Sequence, residues 1–423
     1  MARQDRVKNI PGFYYDPTKR RYFRVRPGHN MHNPLTWELI AEEEEIRKRR
    51  EIHQKSQSNH STNNRLEGIP TLLRKRETNA SYHGRAWQNE VTKKRVLGMR
   101  PRTVLCDGWC RAPNQILLDA SQTRLFVACG CLNCFEVSPD SLELMHTTDH
   151  RIWNSELGIK HVALRPHLCE ASSPVGIVVA EQFPAVLFDK NCRPMREVPR
   201  LMAGSRFTHC SWQRNTTRPT EVAMTRTSGK SIVLYDTEAN SITKLPVVVQ
   251  KSEVLCIEFM ARSPVLVAGY RNGSVCALDL RAKHKTRSFS SFCMESSVGS
   301  LKMLRDENYV LAMGLNGQLN MYDFRVGKHV LQYKQHVGTH RQLSFCTNDA
   351  DTLVFASGQD HVIRIWDIRN SQPIHQFVPE LELENGKPIK EDQIPCVTYG
   401  NNLGGTTPGL LTSTDTSIHC YTI

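Results

Sequence analysis

One kind of strand ending recurs seven times along the chain, and this repetition constrains the fold more than any other feature. Each ending is an apolar or aromatic residue, and in six of the seven it is followed by an acid. The endings lie at 135–136, 188–189, 235–236, 278–279, 322–323, 366–367 and 421–422. Their spacings of 53, 47, 43, 44, 44 and 55 residues indicate a chain built from seven similar units.

A turn signal stands six residues before five of these endings. The residues there are Gly, Asn or Asp, which tolerate a positive φ or hydrogen-bond their own backbone, as a tight hairpin requires. An apolar strand precedes each turn, as in "VLVAGY" and "LVFASG". Each unit is therefore predicted as strand, hairpin and strand, apolar on both faces because it packs between two neighbours. The five turn residues are Gly229, Asn272, Asn316, Asp360 and Asp415.

The seventh unit ends at its third strand, so its fourth strand must come from elsewhere. Residues 94–106, "KRVLGMRPRTVLC", are predicted to supply it and so to close the ring and remove an open edge. Residues 94–423 resemble the WD-repeat β-propeller family, in which a blade spans about 40–45 residues. The resemblance implies an all-β fold, a seven-bladed WD-repeat β-propeller. We expect two domains, an N-terminal arm over 1–93 and the propeller over 94–423.

The sixth unit carries the residues that this family uses to hold a blade together. In well-formed repeats a histidine between blades joins a turn Asp, a Ser or Thr, and the Trp in one hydrogen-bonded set. The resemblance implies that His336, Ser357, Asp360 and Trp366 form this set in blade six. We expect these four residues to have a structural role, and the other blades to depend more on packing.

The arm holds most of the positive charge. Residues 1–100 contain 22 Lys and Arg against 11 Asp and Glu, whereas the whole chain has a net charge of +13. "GFYYDPTKRRYFRV" is predicted to form an aromatic, hairpin-like piece that turns at Asp16-Pro17. A charged helix is predicted to begin near Asn33, with Pro34 in its first turn. The extension is thus expected to be basic and partly helical or disordered, and such an arm can contact nucleic acid or an acidic protein surface.

The sequence lacks the motifs of a catalyst. It has no phosphate loop, no G-x-S-x-G and no H-E-x-x-H motif, so we expect a protein that is not an enzyme and needs no cofactor. "CGCLNC" carries Cys129, Cys131 and Cys134, but alternate strand residues face opposite ways, which favours buried thiols over a metal site. The scattered cysteines, the absence of an apolar leader and the absence of a long apolar segment predict a nuclear or cytoplasmic protein with no membrane partner.

An arginine follows the acid by two residues in three consecutive units. These residues are Arg281 in "LDLR", Arg325 in "YDFR" and Arg369 in "WDIR". In the propeller family this turn lies on one rim, so neighbouring blades would present the arginines side by side. Arginine suits a protein–protein anchor because its planar guanidinium donates several hydrogen bonds and packs on apolar surface.

This arginine pattern resembles the WD-repeat substrate receptors of cullin-4 RING ubiquitin ligases. In them the arginine docks on the adaptor, damaged DNA-binding protein 1 (DDB1). The arm segment "PGFYYDPTKRRYFRVRPGHN", with "VLVAGYRNGSVCALDLR", "ASGQDHVIRIW" and "NNLGGTTPGLL", resembles the fourth group of DDB1- and CUL4-associated factors. The resemblance implies a receptor that binds DDB1 and presents an unidentified client protein, with adaptor contacts at Arg369, Arg325, Arg281, Asp367 and Asp323. The alternative is a scaffold that binds nucleic acid or chromatin through the basic arm.

Overall fold

The computed structural model describes part of the arm and most of the propeller. The described residues are 13–16, 21–24, 47, 51, 94, 96–106, 113–129, 131–138, 144–146, 158–166, 174–180, 184–199, 207–214, 219–226, 231–245, 252–281, 288–379, 395–403, 407–413 and 417–422. The chain divides into two compact units, residues 1–62 and residues 63–423.

The first unit contains an antiparallel hairpin. Its strands are β1 (Phe13–Asp16) and β2 (Arg21–Arg24), with Phe13 opposite Arg24 and Asp16 opposite Arg21. This pairing confirms the predicted hairpin that turns after Asp16. The predicted helix that begins near Asn33 falls almost entirely outside the described residues. Within the part of the chain that is described, no helix has the length and apolar content that a membrane crossing requires.

The second unit is a ring of seven four-stranded antiparallel sheets, which we call blades one to seven. The predicted seven-bladed WD-repeat β-propeller is therefore confirmed. Blade one contains β4 (Gln115–Leu118), β5 (Arg124–Ala128), β6 (Leu132–Val137) and β7 (Leu144–His146). Blade two contains β8 (Ile159–Leu164), β9 (Gly176–Ala180), β10 (Val186–Phe188) and β11 (Pro194–Glu197). Blade three contains β12 (Phe207–Trp212), β13 (Glu221–Arg226), β14 (Ile232–Asp236) and β15 (Ser241–Lys244).

The remaining four blades follow in chain order, and only the last of them takes a strand from elsewhere. Blade four contains β16 (Val254–Phe259), β17 (Val265–Tyr270), β18 (Ser274–Asp279) and β19 (Ser288–Cys293). Blade five contains β20 (Val298–Met303), β21 (Tyr309–Gly314), β22 (Leu319–Asp323) and β23 (Lys328–Tyr333). Blade six contains β24 (Phe345–Thr347), β25 (Leu353–Ser357), β26 (Ile363–Asp367) and β27 (Pro373–Phe377). Blade seven contains β28 (Val397–Leu403), β29 (Thr407–Ser413), β30 (Ser417–Thr422) and β3 (Arg100–Cys106).

Blade seven joins the two ends of the propeller. Its outer strand, β3, pairs antiparallel with β30, so that Arg100 lies opposite Thr422 and Cys106 lies opposite Ser417. The predicted closure by residues 94–106 is confirmed. Because β3 precedes blade one in the chain, this pairing covers an edge of blade seven that would otherwise expose unpaired backbone groups.

The hydrophobic core lies between the blades rather than in one central mass. Among the described residues there are seven buried clusters, one for each pair of neighbouring blades around the ring. Strand β26 shows how one strand serves two clusters, since alternate side chains point to opposite faces. Ile363 and Ile365 pack against blade seven, whereas Trp366 packs against blade five. This explains why the repeat strands are apolar at consecutive positions.

Two faces of the ring can be distinguished by strand direction. In blade five, Met303 at the end of the inner strand β20 pairs with Val310, and Tyr309 pairs with Asp323 at the end of β22. The inner strands and the third strands therefore end on the same face. We call it the arginine face, because Arg281, Arg325 and Arg369 follow the third strands there. The opposite face, which we call the turn face, carries the turns between second and third strands.

The predicted turns are found on the turn face wherever they are described. The Asn272, Asn316 and Asp360 side chains each accept a hydrogen bond from the amide two residues on, at 3.2, 3.2 and 3.3 Å. The residue that follows each of them has a positive φ: 86° at Gly273, 80° at Gly317 and 61° at His361. The turns predicted at Gly229 and Asp415 lie outside the described residues.

Candidate functional site

The three repeated arginines occupy equivalent positions in blades four, five and six. Each lies two residues beyond the acid that ends a third strand, and each side chain is exposed. In all three the arginine's backbone amide donates to the carboxylate of that acid, at 2.9, 3.0 and 3.0 Å in chain order. The acid therefore shapes the turn, and the turn holds the arginine on the arginine face. The acids are Asp279, Asp323 and Asp367.

The side chains of Arg281 and Arg325 also bind the acid that accepts their own backbone amide. Arg281 Nε is 3.0 Å from Asp279 Oδ1, and Nη2 is 2.7 Å from Oδ2. Arg325 makes the same two bonds to Asp323, at 3.1 and 2.7 Å. These side-chain hydrogen bonds hold the pKa of each carboxyl below its usual range. We call this bidentate pairing the arginine clip. The guanidinium groups remain exposed at 70% and 59%, so the clip orients them without burying them.

Arg369 is not clipped. Its backbone amide binds Asp367, but its guanidinium makes no hydrogen bond or ion pair with any described residue. The turns differ in length: in blade five the Gly327 amide donates to the Asp323 carbonyl, whereas in blade six the Asn370 amide donates to the Asp367 carbonyl. Asp367 is also only 9% exposed, which leaves little room for a guanidinium to approach its carboxylate.

Aromatic and apolar groups lie near the arginine of blade five. The guanidinium carbon of Arg325 is 6.0 Å from the centre of the Tyr309 ring, at the outer limit of a cation–π contact. Val326, the next residue, is 62% exposed, and Val330 on β23 is 47% exposed. Exposed apolar side chains beside an oriented arginine are what a protein partner can cover.

The four predicted structural residues of blade six lie close together, but they do not form the expected set. His336 Nδ1 lies 2.7 Å from the Gly317 carbonyl and Nε2 lies 3.1 Å from the Ser357 carbonyl. Burial lowers the pKa of His336, so near neutral pH the ring has one N–H and donates to only one of the two carbonyls. The Ser357 hydroxyl donates to the Ser344 carbonyl at 3.1 Å.

Asp360 and Trp366 also have partners outside the expected set. The fully buried Trp366 indole donates to the Lys334 carbonyl at 3.2 Å. Asp360 binds the Arg364 guanidinium, with Nη1 at 3.0 Å from Oδ1. Arg364 is the physical reason for the difference, because it occupies the carboxylate that a histidine would otherwise bind. The structure therefore corrects the expected direct linkage of the four side chains.

The cysteines of blade one do not converge on one point. Cys129 and Cys131 have their sulfur atoms 3.6 Å apart, and the Asn133 amide approaches both. Cys134 instead turns toward blade two, where its sulfur lies 3.5 Å from the Lys190 carbonyl. Within the described ranges, no group of three or more His, Cys, Asp or Glu side chains could hold a metal ion.

A central channel is a site that the repeat pattern does not predict. The inner strands of the blades enclose about 950 Å³, and charged side chains from blades two to five and from the segment before β24 line it. Two histidine rings, His161 and His209, lie there with centroids 3.7 Å apart and planes tilted by 32°. The sequence gives only a weak signal for these residues, namely polar positions within otherwise apolar inner strands. Their meeting depends on the ring, which brings together positions roughly one blade apart.

Comparison with known proteins gives a consistent match. Residues 153–423 match the model of the "DDB1- and CUL4-associated factor 4 beta-propeller domain". The chain is 26% identical to DDB1- and CUL4-associated factor 4 of Homo sapiens over 449 aligned positions, which cover 98% of this chain and 87% of the relative. It is 30% identical to DDB1- and CUL4-associated factor 4-like protein 2 of Homo sapiens over 174 positions, 40% of this chain and 42% of the relative. WD repeat-containing protein 21 of Schizosaccharomyces pombe is 26% identical over 150 positions, 34% of each chain.

Proposed function

The chain belongs to the DDB1- and CUL4-associated factor 4 β-propeller family, and on this premise we propose that it is a substrate receptor of a cullin-4 RING ubiquitin ligase. The resemblance found in the sequence is thereby confirmed at the level of the family. The names of the relatives from Homo sapiens and Bos taurus describe factors associated with DDB1 and CUL4. In the proposed role this chain docks on DDB1 and presents a client protein.

The exposed arginine of blade six is the observation that best supports adaptor docking. Arg369 is held by its backbone at a fixed point of the arginine face, and its guanidinium has its donors available. Arg325 lies at the equivalent point of the neighbouring blade, oriented by Asp323 and flanked by Tyr309. We propose that both guanidinium groups anchor DDB1 and that Arg281 contributes at the edge of the same surface.

The predicted acidic contacts take a supporting part in this proposal. Asp323 is bound by Arg325, and Asp367 is only 9% exposed and accepts the Arg369 amide. Such carboxylates position the arginines more than they offer oxygen atoms to a partner. We propose that their effect on the adaptor is indirect.

In the proposed role the chain itself catalyses nothing. Propellers specify no chemistry by themselves, and the sequence carries none of the nucleophile, phosphate-loop or metalloprotease motifs. We propose that ubiquitin transfer is performed by the other ligase components. The described cysteines are free thiols, which suits the nuclear or cytoplasmic location that we propose.

The test is capture of DDB1 by a variant with Arg325→Ala and Arg369→Ala together. Truncating an arginine hot spot weakens binding by roughly tenfold or more, so we expect capture to be lost while the melting temperature is retained. The control is Arg271→Ala. Arg271 is 66% exposed and is paired with Glu253 on the turn face, so this control removes a similarly exposed ion pair away from the arginine face.

Full capture by the folded double variant would contradict the proposed docking surface. Loss of folding would instead place the two arginines in the blade rather than at an interface. Raising the salt concentration separates the alternative function, because binding of phosphates through the basic arm weakens steeply with ionic strength. An interface anchored by arginine and apolar contacts weakens less.

A further inference from the structure

The central channel has an unbalanced charge. Its volume is about 950 Å³, which is in the range of sites that bind small ligands or short peptide segments. Among the described residues that line it, five carry a positive charge and one carries a negative charge. The cations are Lys160, Arg165, Arg214, Lys302 and Arg341, and the anion is Glu258.

Two of these cations share the single carboxylate. Glu258 Oε1 lies 3.2 Å from Arg214 Nη2 and 3.8 Å from Lys302 Nζ. The other oxygen of Glu258 accepts the Met303 amide at 2.7 Å, and the Glu258 side chain is only 8% exposed. The positive charge of Arg214, followed by burial, lowers the pKa of Lys302. Asp351 also attracts Lys302, so the charges around Glu258 are nearly balanced, and the excess of positive charge belongs to the described lining as a whole.

Two buried nitrogen atoms in the channel lining have no hydrogen-bond partner among the described residues. They are Arg165 Nε and His209 Nδ1. A buried polar atom without a partner is costly, and both of these atoms belong to residues of the channel lining. Arg165 is positioned by Trp212, whose ring centre lies 6.0 Å from the guanidinium carbon.

The neighbouring histidines add polar groups without adding charge. Burial lowers the pKa of His161 to about 4, and burial followed by the charge of His161 lowers the pKa of His209. Both rings are therefore neutral near pH 7. His161 Nδ1 also lies 3.4 Å from Cys210 Sγ. The positive charge of the channel at neutral pH comes from its arginines and lysines.

We propose that the central channel binds an acidic peptide segment, with Arg214 and Lys302 holding its carboxylates. Guanidinium and ammonium groups form charge-assisted hydrogen bonds with carboxylates, and Arg165 and His209 supply the remaining polar contacts. The role of the channel as the binding site for a ligase client rests on the proposed function. Binding of an acidic peptide to the channel can be measured without that function.

A peptide fits the channel better than a nucleic acid does. Proteins that bind single-stranded nucleic acid present exposed aromatic rings on which bases stack. Of the described aromatic residues in the lining, Trp212 is 3% exposed and its indole donates to the Pro219 carbonyl, and Phe345 is only partly exposed. The lining therefore offers cations without a stacking platform.

The test measures fluorescence anisotropy of a labelled seven-residue polyglutamate peptide with the full chain. A polyglutamine peptide of the same length is the neutral probe, and oligothymidylate is the nucleic-acid probe. We expect polyglutamate to bind, to weaken as ionic strength rises, and to exceed polyglutamine clearly. The variant Arg214→Gln with Lys302→Met replaces both charged side chains by neutral side chains of similar size. It should weaken polyglutamate binding by on the order of tenfold or more.

Matched variants make the result specific to the channel. Arg193→Gln with Lys244→Met removes one exposed arginine from the turn before β11 and one exposed lysine from β15, and should leave polyglutamate binding unchanged. Glu258→Gln removes the competing carboxylate at the same size and should strengthen binding. If Arg214→Gln with Lys302→Met does not fold, Lys160→Met with Arg341→Gln, both nearer the turn face, should weaken binding instead.

Three results would overturn the inference: equal affinity for polyglutamate and polyglutamine, unchanged affinity in both channel variants, or binding of oligothymidylate alone. DDB1 capture is measured on the same proteins. Lost peptide binding with DDB1 capture retained is expected of the channel variants. If the parent chain captures DDB1 but does not bind polyglutamate, the channel inference alone fails. If it binds polyglutamate but does not capture DDB1, the proposed ligase function alone fails.

Discussion

Blades five and six contain the same turn sequence pattern but use it differently. In blade five, Arg325 is clipped to Asp323 by two side-chain hydrogen bonds, whereas in blade six Arg369 leaves Asp367 and extends into solvent. The same blades also differ on the turn face. Asn316 of blade five is neutral, and Asp360 of blade six is bound by Arg364.

The comparison shows that a short motif fixes the backbone of a turn more firmly than the side chains on it. The acid that receives the arginine amide is common to both blades and shapes both turns. The guanidinium binds the acid in blades four and five but not in blade six, where the turn closes one residue earlier than in blade five and Asp367 is only 9% exposed. A surface made from equivalent residues therefore contains both oriented and extended arginines, a combination suited to a partner of irregular shape.

The largest expected difference between the blades is in their cores. Trp366→Ala removes a fully buried side chain that packs on blade five and is bonded to the Lys334 carbonyl, so we expect a loss of about 3–5 kcal/mol in the free energy of unfolding. Chemical denaturation measures it. Trp366→Phe is the control, because it keeps most of the packing and should be milder. An unchanged midpoint for Trp366→Ala would show that blade six does not depend on its tryptophan.

The second difference is the buried ion pair of the turn face. Asp360→Asn gives blade six the neutral turn residue of blade five, and it leaves the Arg364 guanidinium, 5% exposed, without its carboxylate. Removing one partner of a buried pair is costly, so we expect a loss of about 3 kcal/mol in the free energy of unfolding. The control is Asp360→Asn with Arg364→Met, which should recover most of that loss. If the double variant is as unstable as the single one, the pair is not the cause.

The sequence predicts some of these features and does not predict others. The blade endings and the turns at Asn272, Asn316 and Asp360 were predicted because each is a local signal repeated at a fixed spacing, and the closure by β3 was predicted because the seventh unit lacked a fourth strand. Because the pattern repeats, a blade whose sequence motif is weak can be aligned with blades whose motif is clear. The fold could therefore be predicted almost in full.

The candidate sites could be predicted only in part. The position of Arg369 followed from the repeat, but the clip at Arg325 did not, because all three turns share the same local pattern and only two of them are clipped. The partner of Asp360 differs from the expected one because Arg364, four residues further along the chain, binds its carboxylate. The channel was missed because Arg214, Glu258 and Lys302 belong to different blades, and only the curvature of the ring brings them within 4 Å.

The two arginines are expected to differ in binding more than in stability. Arg369→Ala should weaken capture of DDB1 more than Arg325→Ala, because the Arg369 guanidinium bonds to none of the described residues whereas Arg325 shares two donors with Asp323. A loss of roughly tenfold is expected for Arg369. Titration of immobilised DDB1 with each variant measures the difference. A greater loss for Arg325→Ala would indicate that orientation by the clip matters more than free donors.

The smallest expected effect comes from opening the clip itself. Asp323→Asn keeps an acceptor for the Arg325 amide but removes the carboxylate, and so makes blade five resemble blade six. Arg325 lowers the pKa of Asp323, so the clip is formed above the ordinary pKa of Asp and is lost as the pH falls through the lowered value. Because the pair is exposed, we expect no measurable change in melting temperature at pH 7. Capture of DDB1 by this variant should then equal or exceed that of the parent, because the donors of Arg325 are released.

The control is Asp279→Asn in blade four, which opens the equivalent clip at the edge of the surface and should change capture less. A fall in capture with Asp323→Asn, at unchanged melting temperature, would show that Arg325 binds only while its carboxylate holds it in place.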